Sequence, residues 1–135
     1  MVSKTVPAKI DQLDEVIDFV EQQLEACSCS MKAQLQIRLA VEEIFVNITS
    51  YAYQPGEGDA EVRCEVLEDP LRLEIQFLDS GKPFDPLAKE DADTSEEALL
   101  GREGGLGILL VKKNMDEVQY TYQDGKNILT LLKLL

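Results

Sequence analysis

An alternation of apolar and polar residues decides the fold class, and it runs through Val62-Arg63-Cys64-Glu65-Val66 and then Leu71-Arg72-Leu73-Glu74-Ile75-Gln76-Phe77. Successive side chains of a β-strand point to opposite faces, so a period of two predicts two half-buried strands. Between the two runs stands the turn Glu68-Asp69-Pro70, which predicts that they form a hairpin. Further along, Val118 to Tyr122 alternates again, and the Asp124-Gly125 turn signal leads into a last strand from Ile128 to Leu135.

The remaining segments have the period of a helix, apart from a short strand at Val2 to Val6. Apolar residues three and four apart predict an amphipathic helix, and they are Ile10, Leu13, Ile17, Val20 and Leu24. Ser30 is a candidate N-cap for a second helix from about Met31 to Tyr53, and a third runs from about Leu106 to Met115. This order predicts one α+β domain over residues 1–135, a two-layer α/β sandwich with three helices on one face of a mixed, mostly antiparallel sheet.

Composition excludes several classes of function. The 135 residues carry 13 Lys and Arg against 26 Asp and Glu, a net charge of −13, so we expect no nucleic-acid and no membrane partner. No apolar run approaches the ~20 residues of a membrane-spanning helix, and the first residues lack the apolar core of a signal peptide. The three cysteines fit reduced thiols, and we expect a cytoplasmic protein. The absence of histidine excludes Ser-His-Asp catalysis and His-ligated zinc within this chain.

A polar pair stands inside the apolar second helix. Glu43 and Asn47 are four residues apart and therefore project from the same helix face one turn apart. Asn is a modest helix former, so its place in mid-helix calls for a reason. The pair is either part of a solvated face or a carboxylate base beside an amide oxygen that can ligate Mg²⁺.

Two more segments carry residues that a core does not require. Asp79-Ser80-Gly81 follows an apolar strand and is either a turn or a carboxylate placed to accept a hydrogen bond from an exocyclic amine, as on adenine. Four glycines lie within Gly101-Arg102-Glu103-Gly104-Gly105-Leu106-Gly107, at the entry to the third helix. Glycine lets a ligand approach the backbone, and helix N-termini bind anions, so this segment favours phosphate binding. Its spacing is neither that of the dinucleotide-binding fingerprint nor that of a P-loop.

The three segments, taken in order, resemble the N box and the two glycine boxes of the GHKL (Bergerat-fold) ATPases. The small chain and the run from Arg102 to Val118 resemble the anti-sigma-factor serine kinases of the RsbW and SpoIIAB type most closely. The resemblance implies ATP and Mg²⁺ as cofactors. It assigns Glu43 to activating the attacking hydroxyl and Asn47 to Mg²⁺. Asp79 would bind the adenine amine, with Gly81 giving the base room.

For the phosphates, the resemblance implies contacts from the backbone of Gly104, Gly105, Leu106 and Gly107, with Arg102 as a charge partner. The segment from about Lys89 to Gly101 would be a lid over ATP, ordered by the nucleotide. The implied activity is a serine/threonine kinase that phosphorylates a STAS-type anti-sigma antagonist and so regulates a sigma factor.

Two other functions stay open from the sequence. An ATP-binding regulatory module could sequester a sigma factor or another protein without phosphotransfer. An acidic α+β interaction domain would use its glycines only as turns. Members of the family are usually homodimers. Tyr51, Tyr53 and the first helix are candidates for that contact, and packing in the core is the alternative role for most of them.

Overall fold

The structure, a computed structural model, describes residues 1–87 and 105–135, and within them five strands and three α-helices follow in the expected order. The strands are β1 (Val2–Pro7), β2 (Asp59–Leu67), β3 (Arg72–Asp79), β4 (Glu117–Gln123) and β5 (Lys126–Leu134). The helices are α1 (Leu13–Leu24), α2 (Met31–Tyr51) and α3 (Gly105–Asn114). The expected lid from Lys89 to Gly101 lies outside the described residues, as do Arg102 and Gly104.

The strands form one sheet in the order β1-β2-β3-β5-β4, and each of these neighbouring pairs is antiparallel. Val62 stands opposite Phe77, and Phe77 stands opposite Leu129, so the apolar members of the alternating runs share one face. Because the side-chain period of a strand is two, this register places every charged neighbour on the opposite face. The two hairpins read from the sequence are confirmed.

The helices cover the apolar face of the sheet and enclose the core. Val16 and Val20 from α1, Ile37 and Phe45 from α2, and Val111 from α3 are each at most 1% exposed. They pack with the inward-facing strand residues in one continuous cluster. The α+β sandwich with helices on one face is therefore confirmed, whereas the sheet of the described residues is antiparallel throughout and not mixed.

The ends of the first two helices differ from expectation in detail. The chain enters α1 through a 3-10 turn, Ile10–Gln12, in which the Gln12 N–H donates to the Lys9 carbonyl at 3.0 Å. Ile10 was expected in the buried stripe of α1 but is 58% exposed, because this tighter turn rotates it away from the core. Ser30 caps α2 as expected, since its Oγ accepts from the Ala33 N–H at 3.1 Å.

The second helix ends at Tyr51, two residues before the predicted Tyr53. Beyond Ala52 the chain leaves the helix, and the Tyr53 hydroxyl bonds to the ends of two strands. These tertiary hydrogen bonds place Tyr53 outside the helix.

Candidate functional site

Two polar side chains interrupt the apolar face of the sheet at one end. Asp79 ends β3 and is 8% exposed, and Asn127, directly opposite it on β5, is 7% exposed. Among the described residues they are the only polar side chains that are buried. Burying a carboxylate and an amide costs free energy unless both are hydrogen-bonded. The hydrogen-bond partners of this pair are therefore the first property of the site to establish.

The two oxygens of the Asp79 carboxylate have different surroundings. Oδ1 accepts from the Gly81 N–H at 2.9 Å and from Asn127 Nδ2 at 3.0 Å. No described residue donates a hydrogen bond to Oδ2. Every buried side-chain N or O atom of the described residues has a hydrogen-bond partner, so the unbonded Oδ2 must be open to solvent. Oδ2 is therefore a fixed, accessible acceptor at the edge of the core, suited to an N–H donor of a ligand.

Gly81 brings the end of β3 into contact with the end of α2. A methyl group at Gly81 would overlap the carbonyl of Ala52, and the Lys82 N–H donates to that carbonyl oxygen at 3.3 Å. Gly81 is itself buried. Glycine is thus required here because two backbones approach each other closely. This reason is additional to the expected one, that glycine leaves room for a base.

Tyr53 braces the same region. Its hydroxyl accepts from the Ser80 N–H at 2.8 Å and donates to the Asp59 carbonyl. Burial is the main cause that raises the pKa of Tyr53, and the negative charges of Asp79 and Asp59 raise it further. The hydroxyl therefore stays protonated and continues to donate at neutral pH.

On α2, Glu43 and Asn47 lie one turn apart, as the sequence predicts. Glu43 is exposed and Asn47 half-buried, while the intervening Ile44 and Phe45 belong to the core. A Cβ at Gly107 on α3 would overlap the Glu43 carboxylate and stand 3.0 Å from its Cδ. The glycine therefore lets α3 approach Glu43. The polar pair of the second helix and the glycine-rich segment, which are far apart in the sequence, are thus in contact.

The contacts at Ala52 and Glu43 mark the two ends of a site along α2. They are separated by nine residues of helix, about 14 Å at 1.5 Å per residue. One end presents a fixed hydrogen-bond acceptor, and the other presents a carboxylate and an amide beside the start of α3. A ligand that spans both ends needs a donor at one end and a polar or charged group at the other.

The third predicted segment is described in part. α3 runs over Gly105–Asn114, one residue from each end of the predicted helix. Val111 and Met115 are buried and hold the helix against the core. Gly105 and Leu106 belong to this helix.

Sequence reasoning missed two residues of the site. Asn127 was not singled out, although it is a polar residue at an inward position of β5, in step with Leu129 and Leu131. That break in the apolar alternation was the available signal. Tyr53 was considered only for dimer contacts or the core, and no local pattern announces its bonds to Ser80 and Asp59.

A separate open cavity of about 620 Å³ lies beside α2 and includes none of the predicted site residues. It is lined from α2 by Val46, Thr49 and Ser50 and from the segment that follows the helix by residues 53–58. Within the described part of the chain, no three Cys, Asp or Glu side chains cluster as a metal site would require.

The fold and the site define a histidine kinase-like ATPase domain. The family of that description matches residues 6–133, and the chain belongs to it. Membership in this family implies ATP binding.

Among curated relatives, the chain is similar to the serine-protein kinase RsbW of Listeria monocytogenes serovar 1/2a, with 32% identity over 103 residues. It is also similar to the serine-protein kinase RsbW of Bacillus cereus strain ATCC 10987, with 30% identity over 99 residues. These matches cover 73% and 69% of the chain, and 65% and 59% of the relatives. The matched chain thus spans less than two thirds of each relative's length.

Solved structures support the fold alone. The histidine kinase domain of the Erythrobacter litoralis EL346 blue-light activated kinase aligns with a TM-score of 0.56 at 22% identity, over 77% of this chain and 45% of that one. The Acinetobacter baumannii histidine kinase AdeS aligns with a TM-score of 0.53 at 16% identity, over 99% and 68%. Within residues 1–87 and 105–135, no helix is both long enough and apolar enough to cross a bilayer.

Proposed function

We propose that this protein is an ATP-dependent serine/threonine kinase that phosphorylates a STAS-type anti-sigma antagonist and thereby regulates a sigma factor. The observation that carries the proposal is the arrangement along α2. A buried carboxylate with one free oxygen lies at one end, and Glu43 lies against α3 at the other.

Adenine fits the Asp79 end of the site. Its exocyclic amine donates a hydrogen bond, and the accessible Oδ2 of Asp79 is a charged acceptor whose position is fixed through Oδ1. Hydrogen bonds to a charged group are worth about 1.5–3 kcal/mol, enough to select the base.

The phosphates fit the other end. The N-terminus of α3 supplies backbone N–H groups, and Gly104, Gly105, Leu106 and Gly107 would contribute them, with Arg102 as a charge partner. Mg²⁺ prefers oxygen ligands and keeps several from phosphates and water, so a single protein ligand, Asn47, is sufficient beside ATP.

Glu43 is placed to act as the general base. Its carboxylate would take the proton of the substrate hydroxyl while that oxygen bonds to the γ-phosphorus and the bond to the β-phosphate oxygen breaks, which releases ADP. Its exposure suits the role, because the hydroxyl comes from another protein and must reach Glu43 from solvent.

The similarity to the serine-protein kinases RsbW supports the kinase activity. The STAS-type substrate, the sigma factor, Mg²⁺, a cytoplasmic location and a homodimer follow from the resemblance to that branch and belong to the proposal.

The test incubates the protein with γ-labelled ATP, Mg²⁺ and the STAS-type proteins encoded beside its gene. We expect label on a serine or threonine of one of them, and none when Mg²⁺ is chelated. Glu43→Ala should abolish most of the label, whereas Glu42→Ala, the adjacent carboxylate of α2, should leave it unchanged. No labelled substrate together with normal ATP binding would contradict the kinase proposal.

One feature favours the alternative, a module that sequesters a protein partner without phosphotransfer. α2 exposes Met31, Leu35 and Leu39 at intervals of four residues, and they are 79%, 57% and 42% exposed. A stripe of this kind is typical of a helix that docks a partner. Three results together would support this function over the kinase. The protein would retain a sigma factor in a pull-down without any phosphotransfer, Leu35→Glu would abolish that retention, and Glu43→Ala would leave it unchanged.

A further inference from the structure

Asn127 uses all the hydrogen-bonding capacity of its side chain at the adenine end of the site. Nδ2 donates to Asp79 Oδ1 at 3.0 Å and to the Lys82 carbonyl at 2.9 Å. Oδ1 accepts from the Phe84 N–H at 3.1 Å and from the Tyr120 hydroxyl. A primary amide has two donors and two acceptor positions, so each of them is occupied.

The residue type matters because the partners differ in kind. Asp79 and the Lys82 carbonyl need donors, whereas Phe84 N–H needs an acceptor. A carboxylate at position 127 could not donate, and an aliphatic side chain could do neither. Burial raises the pKa of Tyr120, and the charges of Asp85 and Asp79 raise it further, so its hydroxyl remains a donor to the amide oxygen.

These bonds act on Asp79 and on the chain that follows it. The bond to Oδ1, together with that from the Gly81 N–H, prevents the carboxylate from rotating. The bonds to Lys82 and Phe84 tie residues 82–84 to β5, so the segment that follows Asp79 is held to the sheet. Asn127 is thus bonded both to the Asp79 carboxylate and to the segment that follows it.

We propose that Asn127 is the positioning residue of the base site: it holds Asp79 with Oδ2 toward the ligand and so selects a purine that carries an exocyclic amine over one that carries a carbonyl oxygen there. The proposal rests on the proposed ATP binding and adds the residue that gives it base selectivity. A fixed carboxylate oxygen would face the carbonyl oxygen of guanine, and two hydrogen-bond acceptors repel each other. A carboxylate that is free to rotate can avoid this contact and therefore discriminates less between adenine and guanine.

The experiment measures ATP and GTP affinities by calorimetry for the unmodified protein, Asn127→Ala, Asn127→Thr and Gln76→Ala. Gln76 is the matched control, because its amide also bonds from β3 to β5, at Thr130, but on the opposite face of the sheet. We expect Asn127→Ala to lower ATP affinity about tenfold and to lower the ATP-to-GTP preference by the same factor. Asn127→Thr, which retains one donor, should recover part of the preference, and Gln76→Ala should change neither affinity.

Amide hydrogen exchange at Gly81 without nucleotide gives an independent readout. The Gly81 N–H bonds to the oxygen that Asn127 holds, so we expect its protection to fall in Asn127→Ala and to recover in part in Asn127→Thr. Unchanged Gly81 protection, or equal loss of ATP and GTP affinity, would overturn the positioning role. If Asn127→Ala does not fold, Asn127→Thr must still lower the ATP-to-GTP preference, and an unchanged preference overturns the proposal. If the unmodified protein binds no nucleotide, the proposed function fails, and Gly81 exchange then decides the positioning role alone.

Discussion

At Gly81 the missing side chain makes room for backbone, whereas at Gly107 it makes room for the end of a side chain. A Cβ at Gly81 would overlap the carbonyl of Ala52, the residue that caps the C-terminus of α2. A Cβ at Gly107 would overlap the Glu43 carboxylate, which can rotate into solvent. The same residue type thus produces a rigid contact at the Asp79 end of the candidate site and an adaptable contact at the Glu43 end.

The polar groups of the two ends differ in the same way. Asp79 is buried and held by two donors, while no hydrogen bond or ion pair joins Glu43 to another described residue. A preorganised acceptor recognises a ligand without reorganisation, whereas a base for an incoming protein hydroxyl must stay accessible. The difference teaches that, in the proposed function, the fold itself positions the group that recognises the base, whereas the bound substrate completes the group that does the chemistry.

The largest effect is expected from Glu43→Ala, which tests the accessible end. It should slow phosphotransfer by on the order of 10²–10⁴ and leave ATP affinity nearly unchanged, because a general base contributes that factor in the transition state. Single-turnover kinetics and calorimetry measure the two quantities, with Glu42→Ala as control. An equal loss of ATP affinity and transfer rate would mean that Glu43 supports the site structurally. It would contradict the contrast between a preorganised Asp79 and an accessible Glu43.

Asp79→Asn tests the preorganised end. The amide can still accept from Gly81 and Asn127 through its oxygen, but it then turns an N–H toward the ligand's amine, donor against donor. We expect ATP affinity to fall roughly tenfold to a hundredfold, from loss of a charged hydrogen bond worth about 1.5–3 kcal/mol. Asp124→Asn is the control by calorimetry, since Asp124 lies in an exposed turn with φ of 54° that Asn tolerates. Unchanged affinity in Asp79→Asn would remove Asp79 from the site.

Substitutions at Gly81 and Gly107 test directly whether the first contact is rigid and the second is adaptable. Gly81→Ala should lower the free energy of unfolding by about 1–3 kcal/mol, because the Ala52 backbone cannot move aside. Gly107→Ala should change it by less than about 1 kcal/mol, since alanine favours the helix and the Glu43 side chain can rotate. Urea titration of both variants measures the difference. Equal destabilisation would show that both contacts are rigid, and slower transfer in Gly107→Ala would show that Glu43 has been displaced.

The smallest effect is expected from Tyr53→Phe. It removes the hydroxyl that joins Ser80 to Asp59 and should lower the free energy of unfolding by about 1 kcal/mol. Because the pKa of Tyr53 is raised in the folded protein, this contribution is present below the usual tyrosine pKa near 10 and is lost as pH rises through the raised value. Tyr122→Phe is the control, with a side chain that is 45% exposed. A stability difference that persists unchanged at high pH would contradict the role of the hydroxyl.

Local patterns in the sequence were enough for the elements of this fold. A period of two in β2 and β3, a period near 3.6 in α1, and the Ser30 cap of α2 are properties of neighbouring residues. Element ends were less well predicted, as at Ile10 and Tyr53, because a 3-10 turn and tertiary hydrogen bonds decide them. The pairing of Glu43 with Asn47 on one helix face was likewise readable from their spacing alone.

By itself the sequence determined which segments are strands and helices, the hairpin partners, and which residues could carry chemistry. Only the tertiary structure decided that β3 pairs with β5, which brings Asn127 to Asp79 across 48 residues of chain. It also decided that Gly81 abuts Ala52 and that Gly107 meets Glu43. The physical reason is range: periodicity and capping are settled within a few residues, whereas strand order and backbone approach depend on how the whole core packs.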